Sequence, residues 1–166
     1  MIACFDVHYE DDVAIAAAVL IANWTDVAPI NEFVVRCEGI ESYRAGSFFE
    51  RELKPLQELV RSIPISIGTF VVDAYCHLSE DRDRGLGAYL YELLPEGSVV
   101  IGVAKNRFRD TTHAEEVLRG ESQRPLFVTS IGIDYSLAAE HIKSMAGVHR
   151  NPTILKAVDR LCRKPY

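Results

Sequence analysis

Three apolar segments follow one another in the first 37 residues, with only short polar connections between them. Ile2-Ala-Cys-Phe-Asp6-Val ends in the turn-prone acids Glu10-Asp11-Asp12. Val13 to Trp24 resumes as a second apolar stretch, and Glu32-Phe-Val-Val-Arg-Cys37 alternates apolar with polar. Strand-like segments joined this briefly read as an antiparallel meander.

The period then changes. Leu53, Leu56, Leu59, Val60 and Ile63 recur at the three-and-four spacing of an amphipathic helix over about residues 50–63. Pro55 is tolerated in a first helical turn, where its missing N–H has no partner to lose, so the helix is expected to start near Arg51. Thr69-Phe-Val-Val-Asp73 is the next strand, and the polar stretch Ser79 to Gly87 leads into a short helix ending near Pro95-Glu-Gly97. Ser98 to Lys105 is nearly all apolar, as suits a strand covered on both faces. Residues 106–124 show no apolar period and read as an exposed loop or hairpin, and Pro125 to Ser130 makes a further strand. Asp134 is placed to N-cap a helix through Met145 closed by Gly147, and Asn151-Pro152 to open a last helix reaching Cys162.

A meander followed by alternating helices and strands makes an α/β fold, a mixed sheet with helices on both faces. That order fits a ribonuclease-H-like domain. The chain has 166 residues and shows no linker or repeat, so one domain over 1–166 is expected. Cys4, Cys37, Cys76 and Cys162 are scattered without a C-x-x-C pair, which argues against structural zinc and for reduced thiols. No secretory signal opens the chain, and the longest apolar run, Val13 to Ala22, is far short of the roughly 20 residues that span a bilayer. A cytoplasmic protein without membrane association is expected.

The formal charge is −6, which excludes a uniformly basic nucleic-acid-binding surface. It is unevenly spread: residues 1–83 carry −9 and residues 84–166 carry +3. Carboxylates also occur where apolar residues belong. Asp6 shares strand parity with Ile2 and Cys4, and Asp73 shares it with Val71, so both should face partly buried surroundings. Glu52 lies four residues before Leu56 and seven before Leu59, on the apolar stripe of its helix, whereas Glu50 shares a face with Lys54, Gln57 and Arg61. Ionised acids at such positions are costly unless paired, hydrogen-bonded or bound to a cation. Magnesium and manganese take hard oxygen ligands of this kind and stabilise attack on phosphate. The structural alternative is that Asp6 and Asp73 cap loop amides and Glu52 favours the positive end of its helix. Lys105 ends the most apolar strand and opens a basic cluster with Arg107 and Arg109, where it can contact a phosphate, pair with the acids, or simply be solvated. The five histidines show no zinc spacing; His8 and His77 follow the two strand acids closely. Gly85-Leu-Gly87 lacks the lysine of a P-loop and the third glycine of a dinucleotide fingerprint.

Five motifs, in order, resemble the endonuclease V family. Asp6-Val-His-Tyr resembles its D-V-x-Y strand, and Tyr43-Arg-Ala-Gly46 followed by Phe49-Glu-Arg51-Glu52-Leu resembles its Y-x-x-G then F-x-R-E segment. Phe70-Val-Val-Asp73 is similar to its aspartate strand, Ile101-Gly-Val-Ala-Lys105 to its I-G-V-A-K, and Asn151-Pro-Thr to its P-x-P-T helix start. The resemblance implies a ribonuclease-H-like nuclease that cuts DNA or RNA near deaminated bases, notably inosine, using magnesium or manganese. Asp6 and Asp73 would be metal ligands, Glu52 would bind or support the metal and water, Lys105 would stand near the phosphate, and Tyr43, Gly46 and Tyr75 would meet substrate.

The departures are specific. The family's G-x-G after the second aspartate, associated with the pocket for the flipped base, is Ala74-Tyr75-Cys76 here, and its P-Y-I-P wedge is Ser42-Tyr43-Arg44-Ala45. The histidine expected just before the penultimate helix has no equivalent in Thr129-Ser130-Ile131, which leaves Asp134 or His77 as stand-ins. Two functions follow as expectations: a metal-dependent endonuclease, or a non-catalytic, regulatory nucleic-acid-binding module that keeps the fold.

Overall fold

The computed structural model describes residues 1–39 and 48–164. The meander forms as expected: β1 (Ile2–Glu10), β2 (Val13–Ile21) and β3 (Asn31–Cys37) pair antiparallel in sequence order. The β1–β2 connection is two residues, and Asp11 takes the left-handed φ of +54° that such a hairpin asks of its first central position. The helix α1 (Phe48–Ser62) follows, then β4 (Thr69–Val72), α2 (Leu86–Tyr91) and β5 (Val99–Ala104). A short β6 (Glu115–Val117), β7 (Leu126–Ile131), α3 (Tyr135–Ser144) and α4 (Thr153–Cys162) complete the order. Among the described residues seven strands form one sheet in the order β3-β2-β1-β4-β5-β7-β6. β1, β4 and β5 run parallel at its centre, and the other pairings are antiparallel.

Strand alternation sorts the core into two layers. Cys4, Ile15, Val19, Val71, Ile101 and Val128 pack with α3 and α4, through Ala138, Ile142, Ile154 and Val158. Phe5, Ala18, Leu20, Phe70, Val72 and Val100 pack with α1 and α2, through Leu56, Leu59 and Leu90. Helices therefore cover both faces, as the α/β reading requires. Among the described residues no helix is long and apolar enough to cross a membrane.

The elements depart from the sequence reading in three places. β6 lies inside the stretch read as an exposed loop or hairpin; its first two residues are exposed acids, so it is held by ladder bonds to β7 rather than by an apolar period. Asp134 stands at the N-cap of α3 without a side-chain capping bond, and α4 is capped at Pro152 rather than Asn151. Pro55 sits in the interior of α1, not in its first turn. A proline there leaves the carbonyl four residues earlier, that of Arg51, without its helical donor. The Tyr9 hydroxyl of β1 donates to that carbonyl at 3.3 Å, which meets the deficit from outside the helix.

Candidate active site

The sheet pairing places the first two acids. The last rung between parallel β1 and β4 is Phe5 against Val72, so Asp6 and Asp73 stand side by side one step beyond it. Both point toward the layer of α3 and α4, in the parity of Cys4 and Val71. This is the carboxyl end of the parallel strands, where α/β sheets open a crevice. Lys105 follows β5 directly, in the parity of Ile101 and Val103, and its ammonium bonds the Asp73 carboxylate. Glu52 comes from α1 on the opposite layer; it does not line the cavity of Asp6 and Asp73 but is near enough to feel their charges.

These groups act on one another's ionisation. Burial pushes the Asp6 carboxyl up to about 7, with the charge of Asp73 adding to it, against the Val7 N–H donated at 2.8 Å and the Lys105 charge. Burial likewise raises Glu52 to about 7, with Asp73 and Asp6 adding. Burial works against the Lys105 ammonium, but its bond to Asp73 and the charges of Asp6 and Asp159 outweigh it and hold its pKa up. Asp6 is half-buried, as its parity predicts, whereas Asp73 is exposed, because the strand stops at Val72 and its side chain projects past the last rung.

A fourth carboxylate completes the group. Asp159 on α4 lines the same cavity as Asp6 and is held by Arg163 Nε at 3.0 Å. Burial raises it, but the Arg163 bond and charge, with the Lys105 charge, bring it below the ordinary aspartate value. A cavity of about 60 Å³ lies here, lined by Asp6, Asp73, Lys105, Asn151, Lys156 and Asp159 over an apolar floor. Sequence reasoning passed over Asp159, although the signal was available. It lies four residues after Leu155 and three before Cys162, on the packed side of an amphipathic helix, the same anomaly that singled out Glu52.

The other expected residues fall elsewhere. Tyr43 and Gly46 lie outside the described residues. Tyr75 is buried; its hydroxyl donates to the Asn106 carbonyl at 3.0 Å and accepts the Phe108 N–H, so its ring packs the loop after β5 rather than facing a ligand. Cys76 is fully buried with its N–H on Thr129 Oγ1, and a methyl added at Gly102 would meet the Ala74 carbonyl at 2.4 Å, so the segment after Asp73 is closely packed. His77 bonds the Tyr135 hydroxyl at 2.6 Å, and Asp134 is exposed at the start of α3. Neither lines the cavity that Asp6, Asp73 and Asp159 share.

A divalent cation can be tested against this donor set. Among the described residues no group of three or more His, Cys, Asp or Glu side chains is arranged to hold one ion. Magnesium does not require one, since it commonly takes one or two carboxylates and fills its shell with water and substrate phosphate oxygens. Hard oxygens that raise one another's pKa are groups whose repulsion a bound cation relieves, so the residues present fit magnesium or manganese.

A model of the Endonuclease V family matches residues 1–145. The chain belongs to the Endonuclease V family. Among solved structures it is similar to the Endonuclease V of Streptomyces avermitilis, at 26% identity and a TM-score of 0.77 over 98% of this chain and 79% of that one. It is also similar to Ciona intestinalis Endonuclease V, solved with a 24mer DNA containing an inosine followed by a ribo-adenosine, at 18% identity and a TM-score of 0.79 over 98% and 83%. Human Endonuclease V matches at 18% identity and a TM-score of 0.78 over 98% and 82%. No curated protein matches the chain by sequence. The seven-stranded mixed sheet with its helices matches the Endonuclease V fold.

Proposed function

We propose that this Endonuclease V family member is a divalent-metal-dependent endonuclease that hydrolyses phosphodiester bonds in DNA or RNA. The observation that carries the reading is a cavity lined by Asp6, Asp73 and Asp159 beside Lys105, which is paired with Asp73, with Glu52 on α1 near enough to feel the charges of Asp73 and Asp6. Asp6 and Asp73 would hold magnesium or manganese, with Glu52 assisting from α1. When bound, the ion supplies Lewis-acid polarisation of the phosphate and makes a water nucleophilic near neutral pH.

The chain's own residues supply the rest. Lys105 is charged and at the rim, so it can stand against a phosphate oxygen and offset the charge that develops during attack. Glu52 can orient the attacking water and accept its proton. Asp159, which lines the same cavity as Asp6, can add a carboxylate to the cleft. Lys156, on the cavity wall, can meet the phosphate backbone.

Selectivity for a deaminated base is the finer part of the proposal, and inosine is the first base to offer, because the Ciona relative was solved on inosine-containing DNA. The buried Tyr75 ring gives no stacking face for it. The four cysteines are unpaired and buried, which supports a reducing, cytoplasmic setting.

The test is cleavage of labelled DNA and RNA, with and without inosine, in magnesium, manganese or EDTA, beside Asp73→Ala. Metal-dependent cleavage that the variant loses is expected. Cleavage unaffected by EDTA, or equal in the variant, would refute the site. Binding without turnover on every substrate would instead assign a non-catalytic nucleic-acid-binding module.

A further inference from the structure

We infer that Tyr9 is a positioning residue for Glu52: its hydroxyl replaces the helical donor that Pro55 removes and so fixes the turn of α1 that carries the acid. The inference rests on the nuclease reading for its consequence, but its geometry stands separately. α1 runs from Phe48 to Ser62 with Pro55 inside it. The carbonyl of Arg51, immediately before Glu52, is the one that an ordinary residue at 55 would satisfy. The Tyr9 hydroxyl donates to it at 3.3 Å across 42 residues of sequence.

The same pair is joined a second time. The Arg51 guanidinium lies over the Tyr9 ring at 4.3 Å from its centroid, so ring and hydroxyl both hold one residue of α1 to β1. Tyr9 and Asp6 sit on the same strand, three residues apart. The tether therefore fixes Glu52 relative to the strand that carries Asp6, across the boundary between the two layers of the fold. A continuous α1 with an alanine at 55 would satisfy its own carbonyl and depend less on β1. With proline there, the placement of Glu52 is referred to the strand rather than to the helix alone. Placement matters at this site, since an error of about 1 Å in a catalytic group can cost as much as about a hundredfold in rate.

The experiment is a double-mutant cycle with Tyr9→Phe, Pro55→Ala and both together, at a temperature where all four proteins are folded. Tyr9→Phe keeps the ring under Arg51 and removes only the hydroxyl. Expected in the single variant are faster amide hydrogen exchange in residues 52–59, a kcat reduced about tenfold with the KM for nucleic acid unchanged, and a raised half-saturating magnesium concentration. In the Pro55→Ala background the restored N–H makes the hydroxyl redundant, so Tyr9→Phe there should change none of the three. An undiminished effect of Tyr9→Phe in that background overturns the inference, as does a Tyr9→Phe protein with wild-type exchange and kcat. If the wild type cleaves nothing, the nuclease reading fails, and the exchange cycle alone decides whether the tether exists.

Discussion

Replacing Asp6 with asparagine should stabilise the metal-free protein above neutral pH while removing a residue of the cleft. Asp6 is raised from an aspartate's ordinary 3.8 to about 7, by burial first and by Asp73 next. Displacement of that size corresponds to about 4 kcal/mol of disfavoured ionisation when the solution is well above pH 7. The cleft is open to water on the side of exposed Asp73 and Lys105, so screening reduces the measurable part to roughly 1–2 kcal/mol. Asparagine is nearly isosteric, and its carbonyl oxygen can still accept the Val7 N–H that Asp6 accepts at 2.8 Å. For a chain of this length the gain corresponds to a rise in Tm of about 3–6 °C.

The sign follows from proton binding. Between pH 4 and 7 the folded protein retains a proton on Asp6 that the unfolded chain has released, so stability falls as pH rises through that window. Glu52, raised from 4.5 to about 7, acts in the same direction. Wild type in EDTA should therefore melt lower at pH 8 than at pH 5. Asp6→Asn should flatten that slope and exceed wild type at pH 8, with the two converging below pH 4. Magnesium should raise the wild-type Tm at pH 8 and leave the variant nearly unchanged. Thermal melts at pH 4, 5, 7 and 8, with EDTA or magnesium, measure all of this. An asparagine variant no more stable than wild type at pH 8 in EDTA, or a difference independent of pH, would show that Asp6 carries no uncompensated charge.

Arg119 is 6% exposed and has no acidic partner among the described residues; its guanidinium donates to the carbonyls of Met145 and His149, in the connection between α3 and α4. Arg119→Met leaves those carbonyls unsatisfied and should cost about 2–4 kcal/mol by urea denaturation, whereas a loss under 1 kcal/mol would show that the connection holds itself. Gly102→Ala drives a methyl to 2.4 Å from the Ala74 carbonyl and 2.8 Å from the Cys76 nitrogen. It should cost about 1–3 kcal/mol, and because it displaces the turn after Asp73 it should reduce cleavage even at temperatures where the variant is folded.

The acids were legible because each broke a local period. Asp6 interrupts an alternation whose other members, Ile2 and Cys4, are buried, and Glu52 interrupts a helical stripe, so a costly residue was visible without knowledge of its neighbours. The meander was equally local, fixed by short connections. What escaped was set by tertiary partners. β6 has only Val117 buried and exists through its ladder with β7. The length of α1 was misjudged because the cost of an interior proline was assumed to fall on the helix, whereas Tyr9 of β1 answers the orphaned carbonyl. Asp159 carried the same signal as Glu52 but lies 153 residues from Asp6 in the chain, and only the packing of α4 on β1 turns the two into a pair.

Net charge is settled by the same packing. The acid surplus of the first half, −9, includes Asp6, Glu52 and Asp73, and the second half, at +3, supplies Lys105, Lys156 and Arg163 around them. Lys105 of the second half bonds Asp73 of the first, and Asp159, held by Arg163, lines the same cavity as Asp6, so the two halves meet at the cleft rather than forming opposite poles of the molecule. A total of −6 therefore does not describe the field that an approaching phosphate meets. With a divalent ion added to the carboxylates, the cleft carries cations on its rim and a neutralised floor, an arrangement that can accept a polyanion despite an acidic chain. The repulsion measured by the pH dependence of Asp6→Asn and the proposed affinity of the cleft for a cation would have one origin, so a protein that shows the first without the second would refute the metal-dependent reading.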